Sequence, residues 1–121
     1  MRKKWHKCAE HNFKTEDKKM AKIIHIHMGF NIGGEAIKPS YVIFKDVEKK
    51  VGDYFDGWTL LQSRGGWMKE TEDGAVLEIH TTPETFDAYK NAAIAFAKWY
   101  KMAYTQECVR IKIFDAEIID I

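Results

Sequence analysis

Between Lys22 and Phe114 the apolar residues change spacing in a fixed order: period two, a helical period, two, two again, a second helical period, and two. Few folds can use that order. The first segment, Lys22 to Ile32, places Ile24, Ile26, Met28 and Phe30 on one side and Ile23, His25, His27 and Gly29 on the other, as in a strand with one dry face. Gly33-Gly34 interrupts it. Pro39-Ser40 opens a helix in which Ile43, Phe44, Val47, Val51 and Phe55 recur at three-to-four spacing, and Gly57 stands where such a helix would stop. Trp58 to about Lys69 reads as a second strand, with Gly65-Gly66 marking a bulge or a close backbone approach. The Asp-Gly step of Glu72-Asp73-Gly74 predicts a hairpin turn, after which Ala75 to Thr81 returns as a third strand. Thr82-Pro83-Glu84 supplies the cap, first residue and early acid of a long helix with Phe86, Tyr89, Ala93, Phe96, Ala97 and Tyr100 on one stripe. Cys108 to Phe114 is a fourth strand with Val109, Ile111 and Ile113 turned inward, and Glu117 to Ile121 either extends it or pairs elsewhere.

This order predicts an α+β domain of the ferredoxin-like βαββαβ type, with four antiparallel strands in the spatial order 4-1-3-2 and both helices on one face. A chain of 121 residues has room for one such core. Residues 1–21 show no sustained period and read as a basic N-terminal extension, leaving residues 22–121 as the domain. Residues 1–22 carry eight Lys or Arg against three Asp or Glu, so the basic character sits in the extension. His6, Cys8 and His11 there match no zinc spacing, while Trp5 and Phe13 suit docking on a neighbouring subunit. No apolar run approaches the ~20 residues of a membrane span, and no apolar signal region is present, so a cytoplasmic protein without membrane contact is expected. Cys8 and Cys108 lack CxxC spacing and read as free thiols.

The topology puts the first and third strands at the centre of the sheet. Their outward residues are His25 and His27 on one and Val76, Glu78 and His80 on the other, with Arg110 and Lys112 added by the fourth strand and Gln62 and Arg64 expected from the second. Three of the five histidines thus share a surface with a carboxylate and several cations. Four chemistries fit, beside a merely solvated face. The first is an anionic, nucleotide-like small molecule in a cleft made when two subunits put these faces together or the tail encloses them, held by Arg64, Arg110, Lys112 and the histidines, with Trp58, Trp67 or Phe114 as a stacking surface. The second is a divalent transition metal on His25, His27, His80 and Glu78, which would suit an oxygenase. The third is phosphodiester hydrolysis by the histidines, since His80-Thr81-Thr82 resembles the His-x-Thr element of two-histidine phosphoesterases. No matching second element follows, as His25-Ile26-His27 lacks the hydroxyl. Nucleic acid is the fourth and is disfavoured, because the central strands present no outward aromatic residue. A noncatalytic binding role without a cofactor is the expectation. Ile94, Trp99 and Met102, apolar on the far side of the second helix, predict a homo-oligomer.

Gly57-Trp58-Thr59, Gly66-Trp67, Asp73-Gly74 with Glu78 following, and Gln106-Glu107-Cys108-Val109 resemble a group of short proteins from bacteriophage and prophage genomes. The resemblance spans roughly residues 22 to 115. It implies a small cytosolic oligomer, in the host cytoplasm if phage-encoded. By analogy with small phage proteins of similar size, it also implies an anti-defence sponge that sequesters nucleotide second messengers of bacterial immunity, such as cyclic ADP-ribose derivatives or cyclic oligonucleotides.

Overall fold

The computed structural model describes residues 17–121 apart from 34 and 37, and the features read from His6, Cys8, His11, Trp5 and Phe13 lie outside that range. The elements are β1 (Asp17–Gly29), α1 (Ser40–Val51), β2 (Thr59–Trp67), β3 (Glu70–Thr81), α2 (Phe86–Ala103) and β4 (Arg110–Asp120). They form a four-stranded sheet in the order β2-β3-β1-β4 with every neighbouring pair antiparallel, the ferredoxin-like arrangement.

The dry face of β1 decides where the helices go. Ile24, Ile26 and Met28 are buried together with Ala75, Leu77 and Ile79 of β3, and the layer above them is Ile43, Val47 and Val51 of α1 and Ala93, Phe96 and Tyr100 of α2. Both helices therefore cover one face. In α1 the buried residues stand four apart, and Lys49 and Lys50 in its last turn oppose the negative end of the helix dipole. Ahead of α2, Thr82 and Thr85 satisfy each other: the Thr82 N–H donates to Thr85 Oγ1 at 2.9 Å and the Thr85 N–H to Thr82 Oγ1 at 3.3 Å. Trp99 is half-buried and packs its ring on Phe96 and Tyr104, so only Ile94 and Met102 of the expected second apolar side of α2 are exposed.

Several boundaries differ from the sequence expectation. β1 begins at Asp17, five residues before the expected domain boundary, because Asp17 to Ala21 pair with Ala116 to Asp120; β4 is correspondingly longer. α1 stops at Val51, and Phe55 reaches the core from a turn whose N–H groups return to the Val51 carbonyl. The hairpin turn is Met68-Lys69, with φ of 47° and 73°, not Asp73-Gly74. Two non-glycine residues in the left-handed region cost roughly 1–3 kcal/mol each. Gly65 and Gly66 form no bulge and pair in continuous register with Glu72 and Thr71. Gly74 instead answers to packing: a Cβ there would overlap the Met28 carbonyl oxygen and stand 3.0 Å from Ser63 Oγ.

Gly74→Ala should therefore destabilise the protein by about 1–3 kcal/mol, the range of overpacked sites. Gly65→Ala, with nothing within 4 Å of the added carbon, serves as the control in urea unfolding. Equal midpoints for the two variants would refute the close approach at Gly74.

Candidate ligand groove and open sheet face

Residues directly paired across strands share a face, so the register sorts every expected site residue. His25 lies between Lys112 and Glu78, His27 between Arg110 and Val76, and Ile23 between Phe114 and His80. All are on the face away from the helices, with Thr59, Leu61 and Ser63 added by β2. The sequence-predicted group His25, His27, Glu78, His80, Arg110 and Lys112 is brought together. Arg64 is not part of it. It pairs with Asp73 and turns to the helix side, as does Gln62 opposite the buried Ala75; the continuous register through Gly65-Gly66 sets that parity. There Arg64 Nη1 donates to Asp73 Oδ1 at 2.8 Å and Nη2 to Thr71 Oγ1 at 3.3 Å, while Ser40 Oγ donates to Asp73 Oδ2 at 2.7 Å. Arg64 fastens the β2-β3 hairpin to the start of α1.

Glu78 is the hub of the open face. Its two carboxylate oxygens take His25 Nε2 at 2.8 Å and His80 Nε2 at 2.9 Å. Those two hydrogen bonds hold the Glu78 pKa below its ordinary value against the opposing effect of burial. The His25 ring also meets Phe114 edge-on at 5.0 Å. His27 differs: burial, then Lys112, His25 and Arg110, lower its pKa, and its Nε2 is sealed from solvent with no hydrogen-bond partner among the described residues. Of the four residues expected as metal ligands, His25, Glu78 and His80 are joined by hydrogen bonds of carboxylate to imidazole, and His27 takes no part in them. Among the described residues no group of three or more His, Cys, Asp or Glu is arranged to hold a metal ion.

Below the His27–Arg110 row the same face opens into a groove of about 1030 Å³. Its walls are the projecting β2-β3 hairpin, with Gly65, Gly66, Trp67, Glu70 and Glu72, and the turn from α2 into β4, with Gln106, Glu107, Cys108 and Arg110. Glycines make the room. The Glu72 carboxylate occupies the space that a side chain at position 29 would fill, and it accepts the Asn31 N–H at 2.7 Å. Gln106 Nε2 donates to the carbonyls of Asn31 (2.9 Å) and Tyr104 (3.1 Å), tying the second wall to the end of β1. Trp67 is 77% exposed over this space, and three carboxylates, Glu70, Glu72 and Glu107, face a single Arg110. None of the three histidines belongs to the lining. Sequence reasoning missed Glu72 because an Asp-Gly step reads as a turn. The spacing of Gly65, Gly66 and Gly74 was the available signal that the backbone here is kept bare.

No protein-family model matches this chain, and no curated protein matches it in sequence. Solved structures do match. A phage SAM lyase in its apo state is similar at 18% identity over 83% of this chain and 88% of that one, with a TM-score of 0.59. The complex of a phage SAM lyase with S-methyl-5'-thioadenosine gives 0.56 at 18% identity, over 81% and 88% of the two chains. A PII-like protein from Thiomonas intermedia is more distant, at 11% identity and 0.48 over 87% and 98%. The likeness to the phage SAM lyase shows a shared fold. No helix among the described residues is long and apolar enough to cross a membrane.

The shifts of His27 and Glu78 make stability fall with acidity. The unfolded chain takes up protons at His27 below about pH 6.5 and at Glu78 below about pH 4.5, where the folded chain still resists them. Stability is therefore highest above both values and is lost first through His27. Urea unfolding between about pH 8 and pH 5 should show that decline, and His27→Gln should flatten it. Stability that rises on acidification over this range would contradict a lowered pKa at His27.

Proposed function

We propose that the protein binds an adenosine-bearing small molecule in the groove between the β2-β3 hairpin and the α2-β4 turn. The observation that carries this reading is the groove itself: an exposed Trp67 indole beside three carboxylates and one arginine, on a backbone floor kept open by glycines. An indole offers a stacking surface to a purine, worth roughly 1–3 kcal/mol per base. Glu70, Glu72 and Glu107 favour a ligand with a cationic centre, such as a sulfonium, over a purely anionic nucleotide. Arg110, at the junction with the open face beside Lys112, suits a carboxylate at the other end of the same ligand. The solved phage SAM lyase, whose complex holds S-methyl-5'-thioadenosine, supports the choice of an adenosyl ligand. Sequestration of such a molecule, as in the anti-defence role expected from the sequence resemblance, requires nothing beyond this binding.

A second reading is turnover of the same ligand. It is favoured by the carboxylates gathered where a sulfonium would lie. In that elimination a groove carboxylate takes a proton from the carbon next to the C–S carbon, the C–H electron pair forms a C=C bond, the C–S bond breaks, the sulfur keeps its electron pair, and a neutral thioether nucleoside leaves beside the alkene. The histidines, which stand outside the groove lining, have no part in it.

Calorimetry with S-adenosylmethionine and with S-methyl-5'-thioadenosine tests both readings. Trp67→Ala should weaken both ligands about tenfold or more, a loss within the range for stacking. Glu72→Gln should weaken the sulfonium ligand selectively, because only that ligand presents a cation to the carboxylate. Absence of heat from either nucleoside would sink the proposal. Chromatography of the S-adenosylmethionine after contact then separates sequestration from turnover: intact ligand supports the first, and released thioadenosine the second.

A further inference from the structure

The sheet face away from the helices has no layer over it among the described residues, yet it is built for contact. Leu61 (47% exposed) and Phe114 (42% exposed) flank it, Ile23 and Val76 lie within it, and His27 Nε2 is sealed there without a partner. Its charges are sorted by strand. β4 contributes Arg110 and Lys112 beside the histidines, with Asp120 at its far end; β3 contributes Glu70, Glu72 and Glu78, with His80 beside them; β2 contributes the uncharged Thr59, Leu61 and Ser63; and β1, between β3 and β4, contributes His25 and His27. A basic column and an acidic column thus stand on either side of β1, separated by roughly 10 Å, or two strand spacings.

Such a face is complementary to itself. Turning a second copy about a twofold axis that runs above β1 lays its β4 over β3 of the first and its β3 over β4. Lys112 and Glu78 lie in one row with His25, so each copy would set Lys112 against the other's Glu78. The same operation sets His25 against its own counterpart and His27 against its own. While neutral they pack as half-buried rings. A charged His27 adds like charge along the axis, next to Arg110 and Lys112, and no carboxylate stands in its row to balance it.

We propose that the open face of the sheet joins a second copy of this chain, and that protonation of His27 on the axis loosens the pairing. This explains why histidines alternate along the outward side of the central strand, where solvated residues of any kind would serve a monomer. It is independent of the ligand assigned to the groove. It also differs from the oligomer expected through α2, where the packing of Trp99 on the core leaves only Ile94 and Met102 exposed.

Light scattering and sedimentation of the full chain provide the test. At about pH 8 the mass should be that of two or more chains at micromolar concentration, and at about pH 5.5 the dissociation constant should rise at least about tenfold. Lys112→Glu should give a monomer at both pH values, with its circular dichroism and urea transition showing that it folds. Met102→Lys, on the helix side, should leave the assembly intact. The variant His27→Gln should retain assembly while losing much of the pH response. A monomer under all conditions would overturn the proposal. So would dissociation by Met102→Lys rather than Lys112→Glu, or a pH response unaltered by His27→Gln.

Discussion

The parity of β1 governs the rest of the molecule. β1 is one of the two inner strands, with partners on both edges, β3 over Lys22 to Gly29 and β4 over Asp17 to His27. Ile24, Ile26 and Met28 on one side seat both helices, while His25, His27 and Gly29 on the other define the open face. Because side chains alternate with period two, a slip of one residue would exchange the isoleucines for the histidines. The cost of burying two imidazoles and exposing three large apolar groups fixes the register, and with it every cross-strand neighbour that the site uses.

That constraint reaches the groove through Gly29 and Gly74, which are partners in the β1-β3 ladder. Bare backbone at this row lets β3 come close to Met28 and lets the Glu72 carboxylate fold across position 29 onto the Asn31 N–H. Past this row β2 and β3 continue alone as a projecting hairpin. Its base is held by Arg64, Asp73, Thr71 and Ser40 on the helix side, and its open-face residues, Trp67 and Glu70, are left to line the groove. One strand pair thus has a structural side and a binding side, assigned by odd and even residue number.

The electrostatics of the two regions differ in kind. On the open face Glu78 meets two imidazoles of its own chain, and Lys112 stands apart from it on the far side of β1. The groove carries an excess of carboxylate that no cation among its lining residues other than Arg110 offsets. An excess of one sign in a concave site raises the local concentration of the opposite charge, which favours a ligand with a cationic centre there and a self-complementary contact on the face above.

By itself the sequence determined the element order, the dry and polar sides of β1 and β3, and the grouping of His25, His27, Glu78, His80, Arg110 and Lys112, whereas Ile113 of β4, expected to turn inward, is exposed at the edge of the sheet. Those features follow from periodicity, which is a local property of the chain. Tertiary structure alone decided the side on which Arg64 lies, the turn at Met68-Lys69 instead of Asp73-Gly74, and the reach of β1 back to Asp17. Each depends on which partner a strand meets and in what register. An Asp-Gly step that favours a turn in isolation is overridden when the neighbouring strand needs the glycine for backbone contact, and the groove exists because of that override.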